Sequence, residues 1–297
     1  MTSNPTPSIS QSNAPGVRLL RQILRNRSAQ FGGILLLILV FTSYAAPLFT
    51  DYEPNKNAPS QALQPPSVEH LMGTDHVGRD TFTRFLYGGQ LSLRVGLVGI
   101  TIGALIGITL GLISGYFGGW FDAFISWFTD VLMAFPDILL ALAIIAILGP
   151  GIRNAMLAIG IAFVPSFMRL TRSSVLSLRE MTYVEAAKAL GSSDARILIT
   201  HILPNSIRTL LVLITLGIGS SILAGAALNF LGLGAEPPTA EWGAMLNAGM
   251  KYVRQAWWLT FFPGFGIFLA VLSINLIGDA VSDAVAGTNI MLPQDKK

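Results

Sequence analysis

The chain has 297 residues, of which 52% are hydrophobic and only 12% charged. That is about half the charged share of an average soluble domain, roughly 25%, so there is too little polar surface to cover a water-soluble globule. The formal charge of +3, from 19 basic and 16 acidic residues, is too small for a nucleic-acid binder, and the lack of cysteine excludes disulfides, thiolate metal sites and a cysteine nucleophile.

In chain order, the Ser-, Pro-, Asn- and Gln-rich first 16 residues read as a disordered tail. A helix crossing about 30 Å of hydrocarbon needs roughly 20 apolar residues, which residues 29–49 supply without a charge. This run is too long for the apolar core of a signal peptide, about 7–15 residues, so it reads as an uncleaved anchor. The segment 50–90 follows, with the cluster Asp75-His76-Val77-Gly78-Arg79-Asp80. Asp75 and Asp80 are expected to cap an interfacial helix, with Arg79 and Arg84 at the lipid headgroups and no metal bound. The second span, 95–117, carries glycines at 96, 99, 103, 107, 111 and 115, a ladder that lets a neighbouring helix approach closely. The third, 123–148, is interrupted by Asp130, Pro136 and Asp137. The two carboxylates, seven residues apart, would share a helix face. The fourth, 152–168, holds Pro165; the fifth and sixth run over 209–233 and 256–277. Asp137, Asn229 and Asn275 are the candidates for a translocation path or interhelical packing. Trp257 and Trp258 read as an interfacial belt.

Arginine and lysine set the orientation. The segment before the first span has Arg18, Arg21, Arg25 and Arg27 and no acid, which predicts a cytoplasmic start. Residues 51–90 hold three basic and five acidic side chains and belong outside. The stretch 169–208 holds six basic residues against three acids and belongs inside. Both termini are then cytoplasmic.

The inside loop is long for a connection. Thr182, three residues before Glu185, has the spacing of a capping box, Val184, Ala186, Ala187, Ala189 and Leu190 suit a short helix, and Gly191 stops it. Ser192, Ser193 and Asp194 can cap a second short helix over 195–202, expected to end near Pro204. Such a helix, rich in small residues, suits docking into a partner's groove.

Glu185-Ala186-Ala187, Gly191 four residues later, and Ile202-Leu203-Pro204 resemble the EAA loop of bacterial ABC-importer permeases. Gly73-Thr74-Asp75, Gly78-Arg79-Asp80, Tyr87-Gly88, the run Leu-Asn-Phe-Leu-Gly-Leu-Gly at 228–234, Pro237-Pro238, Glu241-Trp242-Gly243 and Trp257-Trp258 resemble the dipeptide and oligopeptide permeases of the DppC/OppC kind. The resemblance implies an all-α membrane protein of six spans with the type I importer fold. It divides the chain into a cytoplasmic tail (1–28), an anchor helix (29–49), an extracytoplasmic segment (50–90), a permease domain (91–284) containing the coupling loop 169–208, and a second cytoplasmic tail (285–297). It implies a bacterial inner-membrane subunit importing di- or oligopeptides, with Glu185, Ala186, Ala187, Gly191, Leu203 and Pro204 forming the coupling element. The partners would be a second, homologous permease subunit, two ATP-binding subunits, a peptide-binding protein outside, and membrane lipid, with no nucleic acid. No G-x-x-x-x-G-K-[ST] motif occurs, so ATP and magnesium would be bound on the partner ATPases, with no cofactor and no catalytic residue in this chain. A nickel or other small-solute importer of the same fold is the alternative cargo class. An ion-coupled carrier or channel without ATP is the alternative mechanism, but a carrier would need ionisable residues aligned at mid-membrane and no docking helix.

Overall fold

The computed structural model describes residues 15–289, which are helical apart from loops and one isolated bridge, Thr74 to Asp80. The tail residues 1–14 and 290–297 lie outside the described residues. The helices are α1 (Pro15–Arg25), α2 (Arg27–Tyr44), α3 (Thr81–Phe117), α4 (Gly119–Met133), α5 (Asp137–Leu148), α6 (Ile152–Leu178), α7 (Thr182–Ala189), α8 (Asp194–Ile197), α9 (Leu203–Phe230), α10 (Trp242–Met250) and α11 (Trp258–Asn289). Part of the tail expected to be disordered is thus the start of α1. The expected domain border at residue 90 falls inside α3, and α6 runs ten residues beyond the predicted end of the fourth span.

The packing centre is α3 against α6. A Cβ added to Gly103, Gly107, Gly111 or Gly115 would lie 2.7, 2.5, 2.6 or 2.9 Å from the Cβ of Phe163, Phe167, Thr171 or Val175. The glycine ladder therefore faces a helix of its own chain, with the backbone carbonyls of Gly160, Val164, Met168 and Arg172 equally close. Both helices advance four residues per contact in the same sense, so α3 and α6 run parallel and in register.

That register settles the interrupted span. α4 and α5 meet at a bend of 99°, geometry that suits either a broken span or a re-entrant loop. The chain leaves α3 at Phe117, beside Val175 near the end of α6, and must reach Ile152 at its start. At 1.5 Å per residue, that return covers ~35 Å of α6. The α4–α5 pair is therefore one broken crossing, making six with α2, α3, α6, α9 and α11. Pro136, extended at ψ 137°, supplies the break. Asp130 and Asp137 consequently do not share a helix face. Asp130 pairs with Arg169 at an exposed position, and Asp137 sits in the first turn of α5, where the helix dipole favours an acid.

The segment between α2 and α3 is a folded knot. The Asp75 carboxylate accepts from the backbone N–H of Val77 and Arg79 (3.0 and 2.9 Å) and from Arg79 Nε (2.6 Å). Asp80 caps α3 through the N–H of Thr83 (2.7 Å) and meets His70 Nδ1 at 2.9 Å. Arg79 and Arg84 are buried rather than at the headgroups, because Asp75 takes the Nε of Arg79 and the carbonyls of Pro54 and Pro238 take an Nη of Arg84. Trp258 is likewise buried and donates to the Thr74 carbonyl (3.2 Å); of the expected belt pair only Trp257 is exposed. Trp242, fully buried at the start of α10, stacks on Phe85 at 5.4 Å and donates to its carbonyl at 2.9 Å. Glu241 beside it accepts from Ser92 Oγ and the Ala244 N–H, and burial pushes its carboxyl up from the usual range.

Overpacking a filled interface costs ~1–3 kcal/mol or more. Gly107→Leu should therefore separate α3 from α6 within the subunit itself. The expected result is a lower melting temperature and yield of the singly expressed chain in detergent, measured by fluorescence-detected size exclusion. An unchanged melting temperature would remove the α3–α6 ladder as the organising contact.

Candidate functional site

The conspicuous feature of the 169–208 end of the bundle is the ledge formed by α7, α8 and the start of α9. Val184 and Ala187, three residues apart, point inward and pack with Tyr116, Val175, Ile197 and Ile202. This seats α7 directly under the last turns of α3 and α6. Tyr116 donates through its hydroxyl to Asp194 Oδ1 (2.6 Å), the Lys188 ammonium lies 5.2 Å above the Tyr116 ring, and Arg179 donates to the Gly115 carbonyl (2.9 Å). These are the groups that clamp the ledge to the bundle. Neither Tyr116 nor Asp194 carries a local signal for that role, since they are distant in sequence and meet only in the fold.

The predicted residues divide by face. Glu185 and Ala186 are exposed, Ala187 is buried, Leu203 is half-buried, and Gly191 and Pro204 are exposed. Leu190 is 87% exposed, and Met181 and Tyr183 are also on the surface, so α7 offers an apolar rim around Glu185. The helix start differs from the capping-box expectation. Met181 is the extended N-cap residue, without a side-chain cap, and Thr182 is already helical. Glu185 instead lies in the first turn, where it complements the helix dipole.

Gly191 ends α7 with φ +79°. Its N–H donates to the Lys188 carbonyl (2.9 Å) and the Ser192 N–H to the Ala187 carbonyl (3.0 Å), the pair of bonds that defines a Schellman stop. Ser193 then caps α8 through the Arg196 N–H (3.4 Å). The second helix does not end near Pro204. A π-helical turn, Leu198–Ile202, carries it straight into α9, because the wider turn accommodates a proline without N–H at the first positions of the next segment. The ledge is thereby one rigid piece with the α9 span.

The three path candidates do not converge. Asp137 is exposed at the start of α5, and Asn275 is exposed on α11 with Asp279 and Asp283 one and two turns on. Asn229 is buried, its amide donating to the Gly225 carbonyl (2.8 Å) and accepting from the Ala235 N–H (2.5 Å), which packs the turn after α9. Among the described residues no three His, Asp or Glu side chains converge as a metal cage would require.

Residues 107–287 match the family described as the inner membrane component of binding-protein-dependent transport systems, and residues 15–66 match the N-terminal transmembrane domain of oligopeptide transport permease C. The chain belongs to this family of permease subunits. It is 48% identical over 272 residues to the dipeptide transport system permease protein DppC of Alkalihalophilus pseudofirmus, covering 92% of this chain and 90% of the relative. It is 43% identical over 284 residues to a putative peptide transport system permease of Brucella abortus (96% and 95%). It is 44% identical over 272 residues to the glutathione transport system permease GsiD of Escherichia coli (90% and 88%). The fold is that of a type I importer permease: an inward-facing structure of the MetNI methionine ABC transporter aligns with a TM-score of 0.54 and 19% identity, over 69% of this chain and 97% of the other. The resemblance seen in the residues is thus correct, and the permease is a multi-pass inner-membrane component.

A left-handed backbone costs an ordinary residue ~1–2 kcal/mol, and a β-branched one fits worst. No atom would meet a Cβ at Gly191, so a substitution there acts through the turn alone. Gly191→Val should leave the subunit folded and assembled but reduce ATP-driven uptake at least tenfold, while Gly191→Asn, which tolerates this conformation, should keep most of it. Equal transport by all three forms in proteoliposomes would separate the turn from coupling.

Proposed function

We propose that this chain is a membrane-spanning half of an ATP-driven importer that moves di- and oligopeptides into the cytoplasm. The ledge that carries this reading pairs an exposed Glu185 and an apolar rim with a buried face locked to α3 and α6. A load applied to Glu185, Ala186 and Leu190 passes through Val184 and Ala187 into two spans, and through the continuous α8–α9 helix into a third. Such a ledge serves an alternating-access machine whose motor is a separate protein. Two ATP-binding subunits, holding ATP and magnesium, would dock on it, one on this chain and one on a second, homologous permease. The cargo named for the relatives, dipeptide and glutathione, favours short peptides here. An extracytoplasmic peptide-binding protein would deliver them to the 50–80 and 234–257 side. In this reading the chain holds no catalytic site and no cofactor, and both termini face the cytoplasm. Asp137 and Asn275, exposed on this subunit, would face the path or the second permease, whereas Asn229 serves packing.

The assembled complex, reconstituted in vesicles with the binding protein, should accumulate labelled dipeptide only with ATP. The loaded binding protein should stimulate hydrolysis, and Glu185→Ala should weaken that stimulation several-fold without loss of assembly. Uptake driven by an ion gradient in the absence of ATP would overturn the reading. For orientation, Ala58→Cys in this cysteine-free chain should react with an impermeant thiol reagent in intact cells and Ser192→Cys should not. The reverse labelling would invert the topology.

A further inference from the structure

On the extracytoplasmic face, residues 57–84 and the segment 235–252, which includes α10, line an open cavity of about 570 Å³, within the size range of small-ligand sites. Exposed Asn57, Thr239 and Lys251 rim its mouth, and Arg79 and Arg84, 8% and 5% exposed, form its floor. No Asp or Glu lines it. The Asp75 carboxylate lies behind the floor and is shared between Arg79 Nε at 2.6 Å and Arg84 Nε at 3.7 Å. Lys251 forms no ion pair among the described residues. Three cationic side chains against one carboxylate leave two positive charges unmatched around the cavity.

Two polar groups at the cavity lack protein partners among the described residues. Arg79 spends only its Nε on Asp75, and its terminal nitrogens have no hydrogen-bond partner among the described residues. His76, whose ring stacks on Tyr252 at 5.4 Å in the cavity wall, has a buried Nδ1 with no partner. A guanidinium fork whose terminal nitrogens are free fits a carboxylate. The remaining wall, with Ala235, Pro237 and Ala248, is apolar and lacks any anion that would demand a particular ammonium group.

We propose that this cavity binds the terminal carboxylate of a short peptide on the extracytoplasmic side, ahead of the membrane path; the proposal rests on the peptide-importer reading. Arg79 and Lys251 supply the charge, and the apolar wall takes the adjoining side chain whatever its identity.

The test uses the assembled importer in lipid nanodiscs without its binding protein, titrated with labelled alanyl-alanine and with alanyl-alanine amide. The acid should bind at least tenfold more tightly than the amide. Lys251→Glu, at an exposed position, should weaken acid binding about tenfold and leave the amide unaffected. Lys251→Gln should fall between, and Thr239→Trp should block the mouth for both. Assembly of each variant is checked by size exclusion. Equal binding of acid and amide, or acid binding untouched by Lys251→Glu, overturns the proposal. So does displacement by acetate or phosphate as effective as by unlabelled dipeptide, which would mark an adventitious anion only. If Lys251→Glu instead lowers only the stimulation of hydrolysis by the binding protein, the cavity receives an acidic group of that protein and the proposal fails. ATP-driven dipeptide uptake is measured alongside; if it persists while the binding arms fail, the importer reading stands and the cavity assignment alone falls.

Discussion

The parallel contact of α3 and α6 is the constraint on which the rest depends. Lipid offers no hydrophobic drive for helices to associate, so close backbone approach and van der Waals contact must hold them. Glycine at every fourth residue of α3 presents a groove with no side chain, and the Cβ atoms of Phe163, Phe167, Thr171 and Val175 fill it. Parallel packing in register forces the chain to recross the membrane between the two helices. The broken pair α4–α5 is that recrossing, bent at Pro136.

The same contact defines the output at the ledge. The last turns of α3 and α6 end side by side, and their side chains Tyr116 and Val175 become the roof under which α7 docks. A helix as short as α7 is marginal alone. It is held by that apolar contact, by the Schellman stop at Gly191, and by the Tyr116–Asp194 and Lys188–Tyr116 contacts. Rigidity of the ledge is therefore borrowed from the spans, which is what a force-transmitting element requires. At the opposite end the helices are tied by polar contacts instead. Asp75, Asp80, Glu241 and Trp258 pin the segment between α2 and α3, and α10, to α3 and α11. The burial of Arg79 and Arg84 in that knot leaves its cavity electropositive.

Much was legible in the residues. Apolar runs located all six crossings, because hydropathy reports the solvent directly. The EAA-type pattern with Gly191 marked the short helix α7 and its stop, since a turn needing φ > 0 leaves a glycine in the sequence. Asp80 is a helix cap as expected, although the helix it starts is a full span rather than an interfacial one, whereas Asp75 closes a turn within the loop instead. Orientation of the termini came from arginine and lysine counts and remains a statement about charge.

Other features were decided only by the fold. The glycine ladder announces that some helix comes close, but smallness carries no address, and the partner proved to be α6 of the same chain. Asp130 and Asp137 seemed to share a face because a straight helix was assumed, whereas the 99° bend separates them. Arg79, Arg84 and Trp258 looked interfacial because side-chain type alone cannot tell a headgroup from a buried carboxylate or carbonyl. Pro204 looked like a terminus, yet a π-turn absorbs it into a continuous helix. Sequence by itself determined what lies in lipid and where the short helix α7 stops, since both follow from local composition and turn chemistry. The tertiary structure alone decided which helices meet and which charges are buried, because those depend on contacts between residues far apart in the chain.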